Sequence, residues 1–594
     1  MLVEGVAQPR GDVGEWCARS EDLGDAHLLE RHDVGVGNDA AAKAHDALRI
    51  ALFQEFEHAR EQRHVRTGEQ RQPDGVGVFL NRRLDNLLRR LVQPRVDDFE
   101  AGVAQGAGDD FGAAIVPVEP GLGDHNTIRT FHGRRYYVAM ALHPFVEKWD
   151  VGLRGDNPLG FPGYDAPENE SVRTGRTEHY ALVEGRFDVM GGSMGAAHGE
   201  RVVRAFKRAT DERLPIVVVT TSGGARLQEG MVALTQMART SAAAVEHAHA
   251  GLMQVALIRS PTTGGVYASY GSLGDVRAAS PGALIGFAGP RIVHETLNVD
   301  VNTDSHSAES AFNAGRIDAI VSEIDQPRWV EGVLGLRNLP PELAEPLPRE
   351  LRAVDVDLTS ADPWTAVQHV RSERRPSGWQ WAAALCESWV ELKGLDPVLR
   401  AGIATIGGRR MIMIASDRHI GSGRPTPKAY QLARRALKMA DRLRLPFVSL
   451  VDTPGAEPGP EAERGGIAYE IAKTFVAQAS LRVPSVSLCV GEGGSGGALA
   501  LAACDRLLLL PDAIFSVIAP EGAAVILGRD VQRAPEFAKL LKLTAPELLE
   551  LRAIDGVVSG GVDSVRTQLL RAVAEAEPGD RARRHDSLTM RWLR

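Results

Sequence analysis

Short apolar runs that end in glycine clusters alternate along residues 180–575 with stretches whose apolar residues fall three or four positions apart. Leu214 to Thr220 (LPIVVVT) lacks the polar alternation of a half-buried strand and reads as a strand covered on both faces. It opens into Ser222-Gly223-Gly224-Ala225-Arg226. Beyond it Met231, Leu234, Met237, Ala238 and Ser241 share one face of a long helix, a stripe expected to face the core. Upstream, Ala181 to Met190 suggests a hairpin around Glu184-Gly185, and Gly192 to Phe206 a helix. Downstream come the strand Val255 to Ile258, the loop Pro261-Thr262-Thr263-Gly264-Gly265, a helix, and the strand Ala283 to Phe287 ending at Gly289-Pro290-Arg291. Strands alternating with helices imply parallel strands joined by crossovers, an α/β fold.

The pattern then repeats. A hairpin with a Gly407-Gly408 turn spans Ile403 to Ala415, and Leu445-Pro446 precedes the strand Phe447 to Val451 as Leu214-Pro215 precedes its own, 231 residues earlier. Gly496-Gly497 answers Gly264-Gly265 at 232, Pro511 answers Pro281 at 230, and Pro520 answers Pro290 at 230. So steady an offset implies two copies of one α/β domain. The expected division is an atypical extension over 1–139, a first domain over 140–335, a Pro- and charge-rich linker over 336–363, and a second domain over 364–580. In the extension only Leu80 to Leu91 shows helical spacing. It reads either as a disordered or loosely helical tail or as sequence upstream of a true start near Met140, and the second is favoured.

Composition narrows the function class. The chain has 594 residues, 44% of them hydrophobic, and a net charge of -9 with both signs interspersed, which argues against a nucleic-acid binder. Cys17, Cys386, Cys489 and Cys504 lie far apart without a C-x-x-C pair, so no metal site is expected. The apolar stretch Leu507 to Leu527 is interrupted by Pro511, Asp512, Pro520 and Glu521, unlike a membrane span, and no signal pattern opens the chain. A soluble, cytoplasmic protein is expected.

The chemistry concentrates at Gly491 to Ala500 (GEGGSGGALA), between the apolar runs Val486 to Val490 and Leu501 to Cys504. A strand, a glycine loop and a helix start together leave peptide N–H groups free for an anionic oxygen. One reading is the dinucleotide fingerprint Gly491-x-Gly493-x-x-Gly496, with Asp512 as the ribose-binding acid of an NAD-dependent oxidoreductase. Such a match is weak alone, and the first copy lacks it. A P-loop is disfavoured because no Lys-Ser/Thr pair follows the glycines. The other reading takes Gly264, Gly265, Gly496 and Gly497 as catalytic donors to two developing oxyanions, each donor worth about 3–4 kcal/mol.

These loops sit within a family resemblance. Residues 180–325, through GGSMGAAHGERVVRA, TSGGARLQEG, PTTGGVYASYGSLGD and PGALIGFAGPR, resemble the beta subunit of the acetyl-CoA carboxylase carboxyltransferase. Residues 375–575, through GRPTPKAYQLARRALKMADRLRLPF, DTPGAEPGPEAERGG, GEGGSGGALALAACDR and FSVIAPEGAAVIL, resemble the alpha subunit. The resemblance implies two tandem crotonase-like domains of ββα units. It implies carboxyl transfer from carboxybiotin, borne on a biotin carboxyl carrier protein and charged by a biotin carboxylase, to acetyl-CoA or another short acyl-CoA, as in fatty acid biosynthesis. Biotin then serves as its own base, which explains why no Ser/His/Asp or paired-carboxylate arrangement stands out. By the same resemblance Gly264 and Gly265 hold the thioester enolate oxygen. Gly496 and Gly497 hold the biotin ureido oxygen, with Ala498 beside them. Gly223 and Gly224 supply a donor or line the CoA channel, and Arg226 is either a substrate contact or a structural ion-pair partner. A homodimer or larger dimer-based assembly is implied, with the active site between the first half of one chain and the second half of another. The four-cysteine zinc ribbon usual in the beta subunit is missing. A biotin-dependent decarboxylase and a non-catalytic scaffold of the same fold are the alternatives.

Overall fold

The computed structural model describes residues 142–301, 305–343, 351–353 and 362–593, so the expectations for the extension, Leu80 to Leu91 included, lie outside the described residues. The first half builds one sheet from β1 (Glu147–Trp149), β2 (Val172–Arg176), β3 (Ala181–Gly185), β4 (Ile216–Ser222), β5 (Gln254–Thr263), β6 (Val276–Ala279), β7 (Ile285–Gly286) and β8 (Ala319–Ile320). Its order is β1-β2-β3-β4-β5-β6-β8, with β7 beside the end of β5. The first three strands are antiparallel neighbours, and pairing from β3 onward is parallel. Ile216 to Val219 are buried, as a central parallel strand covered on both faces requires.

After the two-residue β9 (Arg352–Ala353), the second half builds the same sheet again from β10 (Ser388–Leu392), β11 (Leu399–Ile406), β12 (Arg409–Ser416), β13 (Phe447–Thr453), β14 (Ser485–Gly494), β15 (Arg506–Leu509), β16 (Ile514–Ser516) and β17 (Gly556–Val557). A last strand, β18 (Gly560–Gly561), pairs with β9. Register is conserved between the copies. Ile216 faces Gln254 and Phe447 faces Ser485, while Ser222 faces Thr262 and Thr453 faces Gly493, each pair 231 apart. Both ladders shift register just before the strand end. The helices Ala196–Asp211 and Pro427–Leu443 both give way to an arginine in the left-handed region, Arg213 and Arg444, again 231 apart.

Four expectations are corrected. The glycine pairs align at 231 rather than 232, so Gly264 matches Ser495 and Gly265 matches Gly496. Gly264 (φ 57°) and Ser495 (φ 61°) both take the left-handed conformation that starts the following helix. Glu184-Gly185 is the end of β3, where Gly185 sits over the β4 backbone. The hairpin turns earlier, at Thr177–Tyr180, with the Thr177 amide donating to the Tyr180 carbonyl at 2.9 Å. The linker is partly built into the second domain, since the Trp389 amide donates to the Leu339 carbonyl at 2.8 Å and β9 pairs with β18. That domain also runs past 580: the helix Asp580–Met590 is anchored by Arg581 on Asp505 (2.6 Å) and Arg584 on Asp555 (2.5 Å).

The stripe on the helix Gly230–His249 also turns the other way. Met231 is 70% exposed and Leu234 48%, whereas Ala233, Gln236, Thr240, Ala243, Ala244 and His247 are buried. The buried polar groups are satisfied locally. Thr240 Oγ1 donates to the Gln236 carbonyl, and His247 Nε2 donates to the Leu214 carbonyl at 2.9 Å while Nδ1 accepts from Gln254. Burial pushes the His247 imidazole down to about 4, so it is neutral. No helix among the described residues is long and apolar enough to cross a membrane.

Candidate active site

At the carboxyl end of β4, Ser222 Oγ accepts from the amide two residues on, Gly224, at 3.0 Å. This closes a tight turn whose second glycine has φ 117°. The turn presses backbone to backbone against the start of the helix Gly264–Tyr267. A Cβ on Gly264 would stand 2.8 Å from the Gly224 Cα, and one on Gly224 would stand 3.2 Å from the Gly264 Cα. Glycine is required at both positions by this approach as well as by their positive φ. Gly223, Gly224, Gly264 and Gly265 are therefore brought together.

Two of the amides in this cluster are already engaged. The Gly223 amide donates to the Gly191 carbonyl and the Gly264 amide to the Phe287 carbonyl, both at 2.8 Å. The amides of Ala225, in the turn, and of Gly265, in the first turn of the helix, have no acceptor among the described residues.

The second domain repeats this construction. Thr453 Oγ1 accepts from the Gly455 amide at 3.1 Å, and Gly455 has φ 124°. The turn Pro454–Ala456 packs against the start of the eight-residue helix Ser495–Ala502, where a Cβ on Gly494 would overlap the Pro454 carbonyl. A Cβ on Gly497 would stand 2.5 Å from the Ala456 nitrogen. Gly496 is exposed and a Cβ there would meet nothing within 4 Å, whereas Gly497 and Ala498 are buried. By the 231 offset Ala456 matches Ala225 and Gly496 matches Gly265. Ala225, Gly455, Ala456 and Ser495 are absent from the sequence-derived set; a strictly constant offset would have pointed to Gly455 and Ser495 from Gly224 and Gly264, whereas Ala225 and Ala456 answer only each other.

Both pockets lie at the carboxyl ends of parallel strands, where open α/β sheets bind their ligands. The contacts joining the two domains of one chain lie at the other end of the first sheet. Arg435 grips Asp318, just before β8, at 2.6 and 2.9 Å, and Arg442 reaches Asp275, just before β6, and the Leu252 carbonyl, before β5.

A buried polar network stiffens the first pocket. Arg226 has a fully buried side chain, with Nη2 2.5 Å from Glu170 and Nη1 3.0 Å from Glu229 and further bonds to Ser193 and Tyr164. Burial pushes the Glu170 carboxyl up, but the hydrogen bond and charge of Arg226 outweigh it and hold the group below its usual range. The ion-pair alternative for Arg226 is thus the one observed. Deeper still, His198 lies 2.7 Å from Ser171 Oγ and 2.8 Å from the Tyr270 hydroxyl, and burial lowers its pKa to about 3. This chain of contacts runs from the Arg226 turn to Tyr270, just past the helix that carries Gly265.

The dinucleotide fingerprint does not survive folding. Gly491 and Gly493 are buried residues of β14, packed so that a Cβ would strike the Arg375 guanidinium at 2.3 Å and the Phe515 ring at 2.2 Å. Asp512 accepts from His369 at 3.1 Å. Cys386, Cys489 and Cys504 are buried free thiols, and the described residues hold no group of three metal-ligating side chains.

Comparison with known proteins agrees with this duplicated arrangement. The family model for "Acetyl co-enzyme A carboxylase carboxyltransferase-like" proteins matches residues 345–577. The acetyl-coenzyme A carboxylase carboxyl transferase subunits beta/alpha of Clostridium tetani are 36% identical over 437 residues, covering 69% of this chain and 76% of that protein. The corresponding protein of Saccharopolyspora erythraea is 38% identical over 428 residues, covering 69% and 75%. Among solved structures, the transcarboxylase 12S hexamer with methylmalonyl-coenzyme A bound superposes with a TM-score of 0.61 at 22% identity over 73% of this chain and 87% of its own, which supports the crotonase-like fold. With one pocket in each half and relatives that match across both, the chain belongs to the acetyl-CoA carboxylase carboxyltransferase family, its beta-like and alpha-like halves joined in a single polypeptide.

Proposed function

We propose that the chain is the carboxyltransferase subunit of a biotin-dependent acyl-CoA carboxylase and moves a carboxyl group to acetyl-CoA or another short acyl-CoA, giving malonyl-CoA or its homologue. The observation that carries this is the doubled pocket, where in each copy a turn amide and an amide in the first turn of the next helix have no acceptor among the described residues, at the carboxyl ends of the strands. In the first domain the Ala225 and Gly265 amides hold the thioester oxygen as the adjacent carbon loses its proton. Preorganised donors of this kind in a water-poor site are worth about 3–4 kcal/mol each. Gly264 and Gly224 act by letting the two backbones touch. In the second domain the Ala456 and Gly496 amides hold the ureido oxygen of biotin, and the buried Gly497 and Ala498 shape the cradle behind them. Bound carboxybiotin, presented by a biotin carboxyl carrier protein and replenished by a biotin carboxylase, supplies both the carboxyl group and the base. Protein side chains therefore need only orient and stabilise.

The active form we infer is a homodimer or a dimer-based assembly. Each chain joins its own domains away from the pockets, and the pocket ends display apolar side chains: Leu227 (83% exposed), Phe287 (71%) and Ile292 in the first domain, Ile526 and Leu527 (74%) in the second. Covering them with a second copy brings the first pocket of one chain to the second pocket of its partner. The test is malonyl-CoA formation from acetyl-CoA and carboxylated carrier. Decarboxylation of malonyl-CoA without net transfer would assign the opposite direction, and no turnover either way would leave a scaffold. Mixing Gly264→Val with Gly497→Val chains should restore activity that neither has alone; silence of the mixture would refute the shared site.

A further inference from the structure

A buried hydroxyl almost always has a hydrogen-bond partner. Tyr430, in the helix Pro427–Leu443, is fully buried, and no group among the described residues bonds its hydroxyl. The hydroxyl lies 2.8 Å from the point a Cβ on Gly497 would occupy, and the Ala456 nitrogen lies 2.5 Å from the same point. The Ala456 amide is also without an acceptor among the described residues. Both groups thus pack against Gly497 in the first turn of the helix Ser495–Ala502, whose own leading N–H groups are free, and no acceptor among the described residues meets either. Burial, reinforced by the charge of Asp396, pushes the Tyr430 hydroxyl above the ordinary tyrosine range, so it keeps its proton and remains a donor.

The duplication supplies an internal control. The 231 offset pairs Tyr430 with Gly199, and there the Gln236 side chain fills the space, 2.5 Å from where a Cβ would stand. The fold by itself therefore does not demand a tyrosine. The second pocket carries an orphaned hydroxyl where the first carries none, and an unmade bond at such a site costs about 1–3 kcal/mol unless something meets it.

We propose that the Tyr430 hydroxyl is a third hydrogen-bond donor of the second pocket, a catalytic residue directed at the anionic oxygen held by the Ala456 and Gly496 amides. The assignment rests on the carboxyltransferase reading, under which that oxygen belongs to the ureido group of biotin. The experiment compares the wild-type chain with Tyr430→Phe. Free biotin is titrated by calorimetry and thermal shift, and kcat and KM are measured for the malonyl-CoA-dependent carboxylation of free biotin. Loss of one donor to a charged acceptor should weaken biotin binding or lower kcat/KM for biotin about 10–100-fold. KM for malonyl-CoA should stay within about twofold, and the Tm without ligand should hold or rise, because the hydroxyl removed was unpaired. A Tyr430→Phe enzyme that binds and carboxylates biotin like wild type would overturn the proposal. So would one that loses several degrees of ligand-free Tm and falls equally toward both substrates, since the hydroxyl would then be serving packing. If wild type itself neither binds biotin nor moves a carboxyl group, the function proposed above fails and this assignment falls with it; a competent wild type beside a Tyr430→Phe chain that matches it sinks this assignment alone.

Discussion

Gly496 and Gly497 are adjacent in one helix yet should respond oppositely to the same added methyl group. On Gly497 the new Cβ would stand 2.5 Å from the Ala456 nitrogen, 2.8 Å from the Tyr430 hydroxyl and 2.9 Å from the Ala456 Cβ, so the turn must retreat by about 0.9 Å to reach ordinary contact. Overpacking of this kind costs about 1–3 kcal/mol. The gain in helix propensity on replacing glycine, up to about 1 kcal/mol, offsets part of it. The net expectation for Gly497→Ala is a loss of about 1–2 kcal/mol, read as a Tm lowered by a few degrees. Because the group displaced carries the free Ala456 amide, kcat for biotin carboxylation should fall about 100-fold or more. For Gly496→Ala the Cβ meets nothing within 4 Å, and the same propensity term leaves the protein as stable as wild type or slightly more so. Thermal unfolding and steady-state kinetics on the two variants decide the matter. A Gly497→Ala chain as stable as Gly496→Ala would show that Ala456 does not sit against this helix, and the second pocket as described would be wrong.

Other perturbations probe separate parts of the molecule. Arg226→Met leaves Glu170 and Glu229 buried with no cation between them and should cost about 3–5 kcal/mol in denaturant unfolding; a loss under about 1 kcal/mol would mean the network carries no net stability. His198, with a folded pKa of about 3 against an ordinary 6.5, is neutral when folded. The unfolded chain alone therefore takes up its proton below pH 6.5, and the His198 share of stability is complete above that pH and falls by about 1.4 kcal/mol per unit on the way down to about 3. Denaturation midpoints of wild type and His198→Gln should converge as the pH drops, and parallel curves would contradict the burial of a neutral imidazole. Met231→Asp places a charge on an exposed apolar helix face and should shift sedimentation toward the monomer with an unchanged far-UV spectrum; an unaltered assembly would remove that face from the contact between copies.

Much of this architecture can be read along the chain. Apolar runs such as Leu214 to Thr220, the glycine clusters behind them and the near-constant spacing of 231 between halves specify strands, turns and a duplicated α/β fold, because the period of apolar residues is a local property. The same pattern is silent on which amides stay free. Gly264 looks as available as Gly265 until Phe287, over twenty residues on, returns to take its N–H, and Gly497 looks as open as Gly496 until the turn at Ala456 packs against its Cα. The stripe Met231, Leu234 and Ala238 has the spacing of a core face, yet the polar face wins burial because Gln236, Thr240 and His247 find partners there and Gly199 gives Gln236 room. Tyr430 shows no motif of its own and stands out only where three segments meet. A hydrogen bond has one acceptor to give and a contact one space to fill, and both are allotted between residues remote in sequence, so element type was local information while donor and face assignments belonged to the folded chain.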